Sequence, residues 1–258
     1  MIDSHCHLDV AAFDADRDAV LARAGAAGVH TLLVPAIRPA TWDALTSWAA
    51  TPAAAAAGVH IALGIHPQIV PALSPAENVR LDGLPAALTA ARAVAVGECG
   101  LDGATADPAA QERLLAAQVA IARDLRLPLI IHVLRAHDRA PALLRAARAH
   151  EVGGVMHSYS GGAALVPVYR DLGFAFSFTG AVTWPGSRRP VEAARAVPDD
   201  LLLVETDAPD QTPVPHRPGR SEPAQLPAII AALASARETT PENLAALTTA
   251  NARRLFRL

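Results

Sequence analysis

Eight short apolar runs, each followed by a stretch with helical spacing, constrain this chain more than any other feature of its sequence. They occupy residues 1–3, 31–34, 61–65, 94–97, 129–131, 154–156, 174–178 and 201–204. Short, near-continuous apolar runs suit parallel strands buried on both faces. The gaps between them carry helix signals. Residues 14–27 form one candidate helix. Ser74-Pro75-Ala76-Glu77 has the form of a capping box with proline at the first helical position. Asp107-Pro108 opens an amphipathic run to residue 125, and Thr240-Pro241-Glu242 opens the last helix. This alternation predicts an α/β fold, a single-domain (β/α)8 TIM-type barrel over residues 1–258, with a doubly wound open sheet as the alternative. No linker or internal repeat interrupts it. The alanine-rich residues 51–58 are too few to separate domains, and residues 209–223, with five prolines, predict an extended loop.

Composition excludes several kinds of chemistry. All 22 basic residues are arginine, so Schiff-base catalysis and a metal centre bridged by a carboxylated lysine are ruled out. The net charge of −3 gives no general attraction to nucleic acid or membrane, and 4% aromatics make an extended base-stacking platform an unexpected feature. No apolar run reaches the ~18 residues of a membrane span. There are two cysteines, Cys6 and Cys99, and no signal-peptide pattern, so the expectation is a disulfide-free cytoplasmic protein. No obligate protein partner is evident.

The chemistry gathers where the predicted strands end. The first run leads into His5 and His7, two positions apart and able to share one face of an extended segment. The third leads into His66, the fourth into Glu98 and Asp102, the fifth into His132, the sixth into His157, and the eighth into Glu205 and Asp207. In a barrel these carboxyl-terminal ends converge on one face, where such enzymes keep their active sites. Ionisable groups at apolar strand ends cost free energy unless paired or bound to metal. Imidazole with carboxylate and no thiolate suits zinc, manganese, iron, cobalt or magnesium. The number of candidate ligands points to two divalent ions: His5, His7 and Asp207 on one, His132 and His157 on the other, and Glu98 between them. Strand alternation turns Cys6 and Cys99 away from the ligands, as packing residues.

Five ordered motifs and the chain's ending, spread over essentially the whole chain, resemble the TatD family of metal-dependent hydrolases within the amidohydrolase-like barrels. They are Asp3-Ser4-His5-Cys6-His7, Gly64-Ile65-His66-Pro67, Gly97-Glu98-Cys99-Gly100-Leu101-Asp102, His157-Ser158-Tyr159-Ser160-Gly161, Glu205-Thr206-Asp207-Ala208-Pro209 and the ending 251–256. The resemblance implies a divalent-metal centre on His5, His7, Glu98, His132, His157 and Asp207, and phosphodiester hydrolysis, with members described as deoxyribonucleases. It departs from the family pattern at Gly103-Ala104, at Val133-Leu134 ahead of Arg135, and at Ser221-Glu222-Pro223. These positions line the mouth, so they bear on the substrate: DNA, cut exonuclease-fashion, or a small ester, amide or acyl-linked compound.

Roles follow for single residues. Asp207 and Glu98 are the catalytic candidates, Asp207 as ligand alone or as ligand and general base. His66 and Arg135 are substrate-binding candidates, with His66 alternatively holding a ligand in place. Glu205 is expected to brace a ligand. Arg217 and Arg220 are available to substrate charge or to a plain surface role. Asp102 is expected in a turn with a structural role, and His30 and His60 ahead of their strands.

Overall fold

The computed structural model describes residues 1–258. Eight parallel strands run in the order of the sequence: β1 (Ile2–Asp3), β2 (Thr31–Pro35), β3 (Val59–Leu63), β4 (Ala95–Asp102), β5 (Leu129–Leu134), β6 (Gly154–Met156), β7 (Phe174–Phe178) and β8 (Leu202–Val204). Ten helices connect and cover them. In the first half these are α1 (Arg17–Ala26), α2 (Trp42–Ala49), α3 (Pro52–Ala56), α4 (Pro75–Ala90) and α5 (Pro108–Leu125). In the second half they are α6 (Ala140–Ala146), α7 (Val166–Arg170), α8 (Arg188–Ala196), α9 (Leu226–Ala236) and α10 (Pro241–Phe256). The TIM-type barrel is thus the architecture, not the open sheet. No helix is long and apolar enough to cross a membrane.

The barrel interior shows why the strand period matters. Ile2, Leu33, Ala62, Ala95, Ile130, Val155, Ala175 and Leu203 form one buried cluster, with one residue from each strand. Ala252 and Phe256 of α10 join it from the amino-terminal end. Fully burying each large aliphatic side chain contributes about 1.5–3 kcal/mol. Two residues further along β3, β5, β6 and β8, the same inward face carries Gly64, His132, His157 and Glu205. Period two thus turns an apolar plug into a polar chamber within one step.

Two local devices aim the ligands. The β4–β5 register shifts between Val96 and Cys99, a bulge that swings Glu98 inward. Gly97, at φ +146°, is required there, because a Cβ would lie 2.7 Å from the Ile130 carbonyl. The second device is the seam between the first and last strands. Ser4 N–H donates to Val204 O at 3.2 Å, Asp207 N–H to His5 O at 2.9 Å, and His7 N–H to Ala208 O at 2.7 Å. Asp3 reinforces it, accepting from Thr206 N–H at 2.9 Å and from the Thr206 hydroxyl at 2.5 Å.

The structure corrects three boundaries. Asp102 is the last residue of β4 and not in a turn, because pairing with Leu134 carries the ladder that far. His60 lies inside β3, paired with Leu33, and not ahead of it. β1 ends at Asp3, so His5 and His7 are held by the seam and not by strand alternation. Cys6 and Cys99 do pack in the apolar core as free thiols.

The Ser74 capping box forms in full, and Glu77 also accepts from the Arg38 guanidinium at 2.7 Å. The Ser74 backbone N–H, then Arg38 and the Ser74 hydroxyl, hold the Glu77 carboxyl down at about 2. A depressed carboxylate stabilises the fold above its unfolded pKa, and that contribution is lost as pH falls through the folded one. The Tm gap between the native chain and Glu77→Ala is therefore expected to shrink as pH is lowered from about 4.5 towards 2. Melts at several pH values check this; a constant gap across that window would count against it.

Candidate metal centre

Glu98 is the centre of the site. Its carboxylate is 1% exposed and meets five imidazoles. Its Oε1 lies 2.9 Å from His66 Nε2, 3.0 Å from His132 Nδ1 and 2.8 Å from His157 Nε2. Its Oε2 lies 3.2 Å from His5 Nε2 and 3.4 Å from His7 Nε2. Asp207 Oδ1 closes this second group, 3.8 Å from His5 Nε2 and 3.6 Å from His7 Nε2. Each carboxylate oxygen thus faces its own set of nitrogens.

Outer partners orient three of the rings, His7, His157 and His66. His7 Nδ1 donates to the Pro35 carbonyl at 3.2 Å, leaving Nε2 with its lone pair inward. His157 Nδ1 donates to Glu205 at 3.2 Å, which likewise frees Nε2. His132 turns Nε2 towards Asp102, 3.7 Å away, a charge contact longer than a hydrogen bond, and presents Nδ1. His66 is the exception. Its Nδ1 accepts from Gln68 N–H at 3.1 Å, so the proton sits on Nε2 and is donated to Glu98. His7 and His157 are thus turned with Nε2 towards the centre, and His66 is a donor that orients the shared carboxylate.

The electrostatics follow from burial and neighbours. Burial pushes Glu98 up, but His66, His157 and His5 outweigh it and hold the carboxyl well below the usual range. Burial lowers His157, yet Glu98 and Glu205 raise it well above an ordinary imidazole. Burial drops His66 to about 4 and raises Asp207 to about 6. Burial also lifts both thiols, which keeps Cys6 and Cys99 unreactive.

The donor set fits divalent metal. Glu98 Oε2, which faces His5 and His7, is buried without a hydrogen-bond partner. His5 Nε2 and His7 Nε2 stand 3.1 Å apart, about the spacing of two ligands on one ion at roughly 2.0–2.2 Å. His5, His7 and Glu98 converge as one group and His66, Glu98 and His132 as another. Beside them opens a cavity of about 330 Å³, bordered by His132, His157 and Asp207. A larger hollow of about 590 Å³, near Arg195 and Arg237, lies away from these groups.

The sequence profile described as TatD related DNase matches residues 2–257. The chain belongs to the TatD family. Its TatD-family relatives include the Bacillus subtilis uncharacterized metal-dependent hydrolase YabD, 33% identical over 100% of this chain and 99% of the relative. Another is the Klebsiella pneumoniae 3'-5' ssDNA/RNA exonuclease TatD, 37% identical over 99% of this chain and 97% of the relative. Among solved structures, the Escherichia coli TatD homolog YjjV superposes with a TM-score of 0.91 at 31% identity, covering 100% of this chain and 98% of that one. The chain is accordingly a TatD-type metal-dependent hydrolase, and the expected fold and family are both found.

Reading strand ends brought His5, His7, Glu98, His132, His157 and Asp207 to one place, and the structure gathers all six. It moves three other residues. His66 stands against Glu98, inside the cluster. Asp102 faces His132. Arg220 is tied to Asp16 and Glu222, so it is not free for substrate. Arg135 is exposed at the exit of β5. Glu205 orients His157, and it also accepts from Ser158 N–H at 2.6 Å. Gln211 went unnoticed: its amide donates to Asp207 Oδ2 at 2.6 Å and to the Ser158 hydroxyl at 2.5 Å, while Thr179 donates to its carbonyl at 2.6 Å. No sequence pattern marks it. Only the fold brings that loop beside Asp207.

Proposed function

We propose that this chain is a two-metal exonuclease that trims single-stranded nucleic acid from its 3′ end, the activity for which its Klebsiella relative is named. The carrying observation is the split of Glu98, one oxygen towards His5 and His7 and the other towards His132 and His157. In this reading His5, His7 and Asp207 would hold one divalent ion and His132 and His157 a second, with Glu98 available to both. A divalent centre held there makes a water acidic enough to ionise near neutral pH and neutralises phosphate oxygens. Asp207 takes the proton of the attacking water. Burial raises its carboxyl to about 6 in the metal-free site, so it is ionised at neutral pH and able to accept. The water oxygen bonds to phosphorus as the bond to the upstream 3′ oxygen breaks, and that oxygen is protonated from solvent at the open mouth. Glu205 and His66 hold His157 and Glu98 in register throughout. Two buried free thiols support a cytoplasmic location.

The test is metal removal. Protein stripped with a chelator is expected to lose cleavage of a single-stranded oligonucleotide and regain it with zinc, magnesium, manganese, cobalt or iron(II). Full activity in stripped protein would overturn the reading. A small-ester substrate gains support only if such esters are turned over while no strand is cut.

A further inference from the structure

The backbone of Asp207 is pinned independently of its side chain. Its N–H donates to the His5 carbonyl at 2.9 Å, and its own carbonyl accepts from Asp210 N–H at 2.9 Å. These bonds fix the main chain and leave the side-chain torsions to be set by what meets the carboxylate. Oδ1 is the oxygen turned to the histidines, 3.8 Å from His5 Nε2 and 3.6 Å from His7 Nε2. The other oxygen, Oδ2, accepts from the side-chain amide of Gln211 at 2.6 Å.

That amide has a fixed direction. The Thr179 hydroxyl, 3% exposed just past β7, donates to the Gln211 carbonyl oxygen at 2.6 Å. The Ser158 hydroxyl accepts from the amide nitrogen at 2.5 Å. With its oxygen on Thr179 and its two N–H groups on Ser158 and Asp207, the amide is fully used. Turned over, it would set its oxygen against the Asp207 carboxylate. The three residues that the nitrogen joins also share an unusual backbone: φ is +43° at Ser158, +54° at Asp207 and +50° at Gln211. Left-handed conformations are uncommon outside glycine and persist where the surroundings hold them. One side-chain amide ties all three together.

We propose that Gln211 is a positioning residue for Asp207. It holds Oδ2, so that Oδ1 is the oxygen presented beside His5 and His7, and Thr179 locks it in the donating orientation. Without that donor the carboxylate is free to rotate about its last bond, and the donor set loses its preset geometry. The partner behind a ligand commonly accounts for about 10–100-fold in metal affinity. The role rests on the reading that His5, His7 and Asp207 would hold one ion, and not on the nuclease activity.

The experiment strips the full chain of metal and titrates it with manganese(II), following the free ion by its electron paramagnetic resonance signal. Gln211→Met keeps the length of the side chain but has no donor, and is expected to weaken manganese binding at one site about tenfold. Thr179→Val leaves the glutamine in place but frees its amide to turn, and is expected to weaken binding in the same direction by a smaller factor. Because Gln211 acts through Asp207, adding Gln211→Met to Asp207→Asn should cost less than about twofold more, whereas a role confined to holding the loop would add its full loss. Native affinity in both single variants, or a full further loss on the Asp207→Asn background, would overturn the proposal and leave the metal centre standing. No manganese uptake by the native chain would overturn both.

Discussion

Glu98→Ala is expected to remove metal and activity together. One carboxylate meets five imidazoles at 2.8–3.4 Å, so its loss takes a donor from both nitrogen groups at once. We expect kcat/KM on a single strand to fall at least about a thousandfold, beyond the ~10²–10³ cost of losing one charge-stabilising donor. Bound metal should fall in the same preparation. Glu98→Gln separates charge from shape: it fills the same space and can accept from His66, yet lacks the negative oxygen facing His5 and His7. It should fold as the native chain does and bind metal poorly. A Glu98→Ala protein with native metal content and rate would show that the two groups do not share this residue.

Asp207→Asn is expected to lower kcat and to weaken the metal that His5, His7 and Asp207 would hold. The amide keeps the size of the side chain and its contact with Gln211 but cannot take a proton. A loss of about 10²–10⁴ in kcat is the usual range for removing a general base. The pH profile carries the sign. Burial raises Asp207 to about 6 in the metal-free site, so metal uptake by stripped protein should strengthen as pH rises through that value, and this dependence should weaken in the variant. An unchanged pH dependence of metal uptake in Asp207→Asn would assign the titration to another group.

The sequence revealed the site more fully than its surroundings. Strand ends are legible because the apolar period stops where a histidine or carboxylate begins, as at Ile131-His132 or Met156-His157. The interior layer of Ile2, Leu33, Ala62 and their neighbours follows from the same period. What escaped depends on three-dimensional closure. The β4 bulge at Gly97 lengthens that strand and carries Asp102 to His132, which no local propensity signals. His66 shows itself as a strand-end histidine, but its donor role depends on Gln68 fixing the ring tautomer. Gln211 lies in an extended loop, four residues past Asp207, and gains meaning only where that loop folds back on the seam. Arg217 and Arg220 look alike in sequence, yet one stacks on Trp184 and the other is held by Asp16 and Glu222.

The most direct test of the central claim is an anomalous-scattering map from crystals soaked in manganese. Two peaks are predicted, one among His5, His7 and Asp207 and one between His132 and His157, with Glu98 touching both. A single peak, or peaks away from Glu98, would contradict the account.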